Sequence, residues 1–360
     1  MPVNTGLAQL SNYLVLLTVV IYSLAVLAYA ADLAYGHRRG EARKGHAVVA
    51  KVPELVGAAG TAAAGAGEHP RSADREAALS ADVPDGGLSG PGASSVPGPA
   101  ARSPVSQGRP ARVALWLTAL GLLTHMLGIL TRGLVTGRVP LGNMYEFVLA
   151  VTCVAITAFL VAAVRYRAAY VGLFVMVPVV TALGLDVTVL YVAAGALMPA
   201  LQSYWIGIHV TAMTLAAGVF TLAAVVSVMY LLAERHARLE AAGQASGRGG
   251  IMRRLPAPEV LDRLSYRTVI FAFPIWTFGV IAGAIWADQA WGRYWGWDPK
   301  ETWAFITWVV YACFLHARAT AGWRGRKAAY IQLTGFACLI FNLVGVNIWI
   351  TGLHSYAGLS

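Results

Sequence analysis

Charged residues are scarce in this chain of 360 residues, at 12% against 58% hydrophobic residues, and the mean hydropathy is +0.61. With so little charge, the chain cannot bury its apolar surface in the core of a water-soluble protein. The composition therefore argues against a soluble enzyme. It predicts an all-α polytopic membrane protein, whose surroundings are the lipid bilayer.

Cysteines are also few, and none forms a Cys-x-x-Cys pair, because Cys153, Cys313 and Cys338 each stand alone in an apolar run. An isolated cysteine in such a place usually acts as a small hydrophobic residue. This pattern argues against a thiol–disulfide exchanger, an iron–sulfur protein or a c-type cytochrome with its own Cys-x-x-Cys-His site.

Long apolar runs are abundant, and eight of them can cross a hydrocarbon core of about 30 Å. They cover approximately residues 10–31, 113–130, 144–164, 170–185, 205–233, 269–287, 303–319 and 330–350. About eight transmembrane helices are therefore predicted. Residues 1–35 hold the first helix, residues 36–112 are predicted to be a disordered cytoplasmic linker rich in Ala, Gly, Ser and Pro, and residues 113–360 form a seven-helix domain.

Lysine and arginine are unevenly distributed along the chain. Of the 27, 23 fall in four segments, residues 36–112, 165–167, 234–267 and 317–327. The positive-inside rule places these segments in the cytoplasm and both termini on the extracytoplasmic side. Anionic headgroups at the cytoplasmic face then explain the net charge of +10, which gives no support to a nucleic-acid partner.

The stretch WGRYWGWDPKETW, residues 291–303, lies in a predicted external loop at 288–303. Tryptophan favours the membrane–water boundary because its ring prefers apolar surroundings while its N–H needs a polar partner. The cluster is either a boundary anchor or a platform that stacks on a flat ligand of porphyrin size. The candidate ligand-binding residues of this platform are Trp291, Tyr294, Trp295, Trp297 and Asp298.

The charges of this loop, and of the first external connection, each allow two interpretations. Asp298, which precedes a proline, can cap the helix that begins near Lys300. Lys300 and Arg293 could pair with acidic groups of a ligand or form an ordinary interfacial ion cluster. In the first external connection, Arg132 and Arg138 could face an acidic substrate group or anchor the loop.

Four of the eight histidines lie at membrane depth or at its outer edge. His209 and His354 are predicted on the same side as the tryptophan loop, where they could supply both axial ligands of a haem iron or act as boundary anchors. His316 lies about 20 Å below the outer end of its run, where an ionisable group is costly, so it is a second candidate ligand. The alternatives are a neutral imidazole bonded between helices and a histidine near enough to the cytoplasm to reach water. His125, near the middle of its run, is either a further ligand or a packing residue.

Together these motifs resemble the tryptophan-rich WWD signature of haem-handling proteins in c-type cytochrome maturation. The Asp-Pro-Lys-Glu ending of the tryptophan stretch is most similar to the CcsA/ResC type of the system II pathway. The flanking motifs PLGNMYEF, WIGIHV, FLHAR and GLHSY occur in the matching order. The resemblance covers about residue 112 to the end of the chain.

The resemblance implies that haem b is a transported substrate. It implies His209 and His354 as iron ligands at an outer-face site, and His316 as a residue that holds haem in transit, with the role of His125 left open. It also implies a ResB-type membrane partner, which must be a separate chain here, and apocytochrome c as a client.

The sequence therefore predicts a protein of the cytoplasmic membrane that acts in cytochrome c maturation. It would move haem to the extracytoplasmic face and present it for thioether attachment to Cys-x-x-Cys-His sites, as a subunit of a haem-attachment complex. Whether this subunit is itself an enzyme stays open. The alternatives are a haem or small-molecule transporter without an attachment role, and a quinone-linked electron-transfer subunit with b-type haems.

Overall fold

A computed structural model describes residues 5–49, 109–194, 203–244 and 255–354. The chain divides into two compact units, residues 1–40 with 107–360, and residues 41–106. The first unit contains the candidate site. Of the second, only residues 41–49 are described, so most of the predicted linker, residues 50–108, lies outside the described residues.

Every regular element of the described residues is helical. The helices are α1 (Thr5–Val49), α2 (Arg109–Thr136), α3 (Met144–Arg165), α4 (Gly172–Thr188, preceded by a 3₁₀ turn at Ala169–Val171), α5 (Tyr204–Ala241), α6 (Pro258–Trp291), α7 (Pro299–Ala319), α8 (Arg326–Ile340) and α9 (Val346–Trp349). A π-helical segment, Phe341–Gly345, joins α8 to α9.

Seven membrane-crossing candidates occur among the described helices, by length and apolar composition, with α8 to α9 counted as one. Helix α7 is not among them, because Lys300 and Glu301 at its start and His316 and Arg318 near its end lower its hydropathy. Each of the eight predicted runs nevertheless lies in a helix, so the all-α polytopic membrane fold is confirmed. The extracytoplasmic position of the termini stays a prediction.

Several helices extend beyond the predicted runs, and two of these differences change the organisation of the chain. Helix α1 continues to Val49, beyond the expected end near residue 35, through a segment rich in the helix-favouring residues Arg, Lys, Glu and Ala. The tryptophan loop is shorter than expected, with only residues 292–298 outside helices. Gly292 ends α6 with a left-handed φ of 70°, and Asp298 caps α7 at once.

Helix α1 packs against the seven-helix domain through polar contacts and close approaches. Ser11 Oγ donates to the carbonyl of Gly128 at 2.9 Å, and the hydroxyls of Thr18 and Thr124 are 2.8 Å apart. Tyr29 lies against the backbone of α4, where the absence of a side chain at Gly172 makes room for its ring. The first helix is therefore specifically docked onto the domain.

The two helices that carry most of the site, α5 and α6, pack along each other through the centre of the domain. With 38 and 34 residues they are about 57 and 51 Å long, longer than a hydrocarbon core of about 30 Å. On α6, Gly279 and Gly283 face α5, where a Cβ would meet Met213 and His209 respectively. These glycines let the side chains of α5 lie flat on the backbone of α6.

An ion cluster fixes the connection between α2 and α3. Glu146 accepts hydrogen bonds from Arg132 at 2.9 Å and from Arg138 at 2.7 Å, and its side chain is fully buried. Asn143 caps α3 by accepting from the backbone N–H of Glu146 at 2.9 Å. Both arginines therefore anchor the loop, the second of the two readings that the sequence allowed.

Candidate functional site

One pocket occupies the end of the domain where α5 begins, α6 ends and α7 begins. Its cavity volume is about 170 Å³, within a wider cleft of about 1100 Å³ that includes open solvent. Its walls are mainly apolar, and the side chains that can bind or orient a ligand are His209, His354, Lys300, Asn342, Asn347, Trp286, Trp291, Tyr294 and Trp295. The structure thus brings both outer histidines and three loop aromatics to a single cavity.

His209 reaches this pocket from the second turn of α5. Ser203 caps the helix by accepting from the N–H of Trp205 at 3.2 Å, which sets the register of the first turns. The imidazole Nδ1 lies 2.7 Å from the carbonyl oxygen of Gly279. A carbonyl can only accept, so in the neutral ring Nδ1 carries the proton and Nε2 carries the lone pair that a metal requires.

His354 follows the last helix and is held by Asp298 of the tryptophan loop. Its Nδ1 lies 2.7 Å from Asp298 Oδ2. Because an ionised carboxylate can only accept, the neutral form of this imidazole also has its proton on Nδ1 and its lone pair on Nε2. Two chain segments that are far apart in sequence therefore present imidazoles in the same tautomer.

Trp286 lies beside both histidines and was not predicted as a site residue. Its indole is stacked on His209, with centroids 6.1 Å apart and planes 11° apart, and meets His354 edge-on at 5.7 Å. Trp291 packs edge-on against Trp286 at 4.7 Å. The sequence places Trp286 inside an apolar run, and its spacing of three residues from Gly283 becomes informative only once the structure shows Gly283 against His209.

Trp297 is the predicted loop aromatic that does not line the pocket. Its backbone φ is 59°, in the left-handed region, and its side chain is 63% exposed. Its ring packs edge-on against Trp295 and Phe305 instead. The left-handed turn points this residue away from the cavity, so the structure gives it no part in stacking on a ligand there.

Asp298 also lies outside the pocket lining, and its carboxylate organises the loop. Oδ2 accepts from the N–H of Lys300 at 3.2 Å, and the Glu301 side chain accepts in turn from the N–H of Asp298 at 3.1 Å, which forms the capping box of α7. Burial raises the pKa of Asp298, but the hydrogen bonds from His354 and Leu353 outweigh this effect, and the pKa lies below its usual value. The carboxylate is therefore ionised at neutral pH.

The two cations of the loop have different environments. Arg293 Nη1 lies 3.5 Å from the Glu301 carboxylate, so it forms the predicted ion cluster. Lys300 is the only lysine or arginine that lines the pocket within the described part of the chain, and its Nζ donates to the carbonyl of Asn342 at 2.9 Å. Asn342 belongs to the π-helical segment, whose altered turn brings it and Asn347 to the pocket wall.

The remaining two candidate histidines lie elsewhere. His316 is an exposed residue in the last turn of α7, about 24 Å along the helix from Lys300. His125 is fully buried on α2, where its ring meets Tyr22 of α1 at 6.0 Å in a T-shaped contact. Neither shares the pocket of His209 and His354.

Comparison with known proteins identifies the family of this chain. The family model described as cytochrome C assembly protein matches residues 141–354, more than half of the chain and the part that forms the pocket. The cytochrome c biogenesis protein CcsA of Gloeobacter violaceus is 34% identical over 290 residues, which covers 68% of this chain and 86% of that protein. The protein of the same name from Guillardia theta is 36% identical over 267 residues, covering 68% and 85%. The segments that form the pocket thus lie within the shared region, and the chain belongs to the cytochrome c assembly family as a CcsA-type protein.

Proposed function

We propose that this chain, whose family gives it a role in cytochrome c biogenesis, binds haem in the pocket between His209 and His354 and presents it for attachment to apocytochrome c. The observation that carries the proposal is the pair of imidazoles with protons fixed on Nδ1, by Gly279 and by Asp298. Metal-bound histidines characteristically donate their second N–H to a carbonyl or carboxylate in this way. Both Nε2 atoms then suit an iron centre.

The rest of the pocket suits the other parts of a haem molecule. Trp286, Trp291 and Trp295 supply the aromatic surface that a porphyrin needs. Lys300 supplies a cation in a mainly apolar lining that also contains the Glu301 carboxylate, and its ammonium can pair with a propionate group. Haem b, the substrate in this proposal, would then bind with a defined orientation.

Attachment to the client is an addition reaction. Each thiol of a Cys-x-x-Cys-His segment adds across a vinyl double bond of haem, so that sulfur bonds to one carbon and a proton goes to the other, with no electrons left over. Two imidazole ligands would occupy both axial positions of the iron until the histidine of the client displaces one. The protein contributes positioning, and no side-chain nucleophile is required.

Delivery of haem to the pocket involves other parts of the membrane assembly. In this proposal the pocket faces the extracytoplasmic side of the cytoplasmic membrane, and a ResB-type partner completes the complex. His316, near the opposite end of α7, holds haem on its way to the outer site. Its exposed position is accessible to such a partner.

Substitution of the histidines tests the ligand assignment. We expect His209→Gly and His354→Gly each to reduce the haem that co-purifies with the complex and to abolish holocytochrome formation. His236→Gly is the matched control, since it changes the same residue type on α5 far from the pocket, where the imidazole lies 3.6 Å from Glu240. Unchanged haem content and maturation in both pocket variants would refute the assignment. If maturation is lost while the haem content stays at the wild-type level, the histidines act in client binding and the ligand assignment is also refuted.

The transporter alternative makes a different prediction for the same variants. A transporter without an attachment role would leave haem export dependent on the histidines but would form thioether bonds equally well when haem is supplied from outside. Holocytochrome formation by the two histidine variants with externally added haem distinguishes the transporter from the haem-attachment protein. Rescue of both variants by external haem would support the transporter.

Substitution of Lys300 tests how haem is oriented. Lys300→Met removes the charge and keeps an unbranched side chain that is one atom shorter, and we expect haem affinity to fall about 10- to 100-fold, as for the loss of a charge-assisted hydrogen bond. The affinity for haem dimethyl ester should not change, because its propionates are uncharged. Arg293→Met is the control, since Arg293 itself does not line the pocket, although its partner Glu301 does. An equal loss in both variants would refute the propionate contact.

A further inference from the structure

We infer that Asp298 is the positioning residue of His354, fixing the tautomer and the orientation of this one iron ligand and strengthening it as a donor to iron. The inference rests on the proposed function, because it assumes that His354 binds iron. The tryptophan stretch suggested a direct contact between Asp298 and the ligand. The structure instead places Asp298 behind the histidine, outside the pocket lining.

The Asp298 carboxylate joins two segments that are otherwise separate. Its Oδ1 accepts from the N–H of Leu353 at 2.7 Å, and its Oδ2 accepts from His354 Nδ1 at 2.7 Å and from the N–H of Lys300. A Cβ added at Gly352 would lie 2.6 Å from Oδ1, so the chain approaches the carboxylate too closely for any larger residue there. The tail after the last helix is thus held at the start of α7 at three consecutive residues, Gly352 to His354.

The two histidines differ in what holds them. Nδ1 of His209 donates to a neutral carbonyl of α6, whereas Nδ1 of His354 donates to an ionised carboxylate. A negative acceptor polarises the imidazole more strongly and makes its Nε2 a better electron donor to the metal. His354 is therefore the stronger donor of the pair, although it lies on a tail and His209 lies on a helix.

An asparagine side chain has one oxygen where aspartate has two. Asparagine is as good an N-cap as aspartate, but Oδ2 of Asp298 accepts from both Lys300 and His354, so Asp298→Asn keeps the cap of α7 only when its oxygen faces these two donors. When the oxygen faces Leu353, the amide N–H₂ faces Nδ1, which must then accept. The proton then moves to Nε2, where it blocks metal binding, and the cap bond from Lys300 is lost. When the oxygen faces His354, the Leu353 bond is lost.

The test uses the full chain purified with its partner and loaded with haem. We expect Asp298→Asn to weaken haem binding about 10- to 100-fold, the usual effect of losing the carboxylate behind a ligating histidine. The fraction of haem with the low-spin, two-imidazole spectrum should fall, and the reduction potential of the remaining low-spin haem should become more positive. A purely structural role would lower the yield of folded protein without moving the potential of the low-spin fraction.

A double variant shows whether Asp298 acts through His354. In His354→Gly protein without added imidazole, Asp298 has no imidazole to hold, so the further change Asp298→Asn should cause no additional loss of haem affinity. An additive loss would overturn the inference and assign Asp298 to loop stability alone. Wild-type affinity, spectrum and potential in Asp298→Asn would overturn it as well.

The outcome for His354→Gly separates this inference from the proposed function. If that variant keeps wild-type haem and spectrum, His354 is not a ligand and the proposed function fails together with the inference. If His354→Gly loses the low-spin spectrum while Asp298→Asn keeps it, the ligand assignment stands and only the positioning role of Asp298 is refuted.

Discussion

Replacing Gly283 by alanine is expected to displace His209 while leaving the imidazole itself unchanged. A Cβ at this position would lie 2.6 Å from both Cε1 and Nδ1 of the imidazole, and ordinary van der Waals contact begins at 3.4 Å. The ring must therefore retreat by about 0.8 Å, from 2.6 to 3.4 Å. It cannot do so without stretching or breaking the 2.7 Å bond from Nδ1 to the carbonyl of Gly279.

The expected effect on function is large for so small a change. A misplacement of about 1 Å in a positioned group can cost about 100-fold in activity. We expect Gly283→Ala to lose most of the low-spin haem spectrum and most holocytochrome formation, although alanine in a helix interior is intrinsically favoured over glycine by about 1 kcal/mol. The stability of the haem-free protein, measured by thermal unfolding in detergent, should fall much less than its haem content.

Gly207→Ala is the matched control on the neighbouring helix. Gly207 lies two residues from His209 on α5, and no atom lies within 4 Å of a Cβ added there. This variant should keep the wild-type spectrum and gain slightly in stability. A wild-type haem spectrum in Gly283→Ala, or an equal loss in both variants, would refute the argument that the α5–α6 contact sets the position of His209.

Two further predictions concern the frame around the site. Glu146→Gln leaves Arg132, only 2% exposed, without its buried counter-ion. The free energy of unfolding, measured by denaturant titration in detergent, should fall by about 3–5 kcal/mol. A change below about 1 kcal/mol would show that the cluster is solvated. Gly172→Ala would push a methyl group into the ring of Tyr29 and should destabilise the docking of α1 by about 1–3 kcal/mol. Gly184→Ala is the control and should be neutral or stabilising, because a Cβ added there meets no atom within 4 Å. Comparable melting temperatures for the two variants would contradict the prediction.

The helices could be predicted because their signal is local. Each apolar run is long enough to need a membrane and too long for any other element, so the existence of all eight followed from composition alone. The grouping of His209 with His354 followed from counting crossings, since both lie at run ends on the same predicted side. The end of α1 did not follow, because polar helix formers can continue a helix beyond the bilayer.

The contacts behind the site could not be predicted in the same way. The bond from Asp298 to His354 joins residues 56 apart, and nothing in either segment encodes the approach of the tail to the start of α7. Trp286 looks like any apolar residue of its run until α6 is placed against α5. The left-handed turn at Trp297 is invisible for a similar reason, since bulky residues rarely adopt such a φ.

The π-helical segment Phe341–Gly345 makes the end of the chain sensitive to length. An α-helix advances by about 100° per residue, so one extra residue in a turn rotates everything that follows by about that angle relative to an uninterrupted helix. In an uninterrupted helix, Asn347 would face another side of the bundle, and the tail that carries His354 would leave the helix in a different direction. A single-residue deletion within this segment would therefore disconnect the tail from Asp298 while leaving every residue of the tryptophan loop and of the tail itself unchanged.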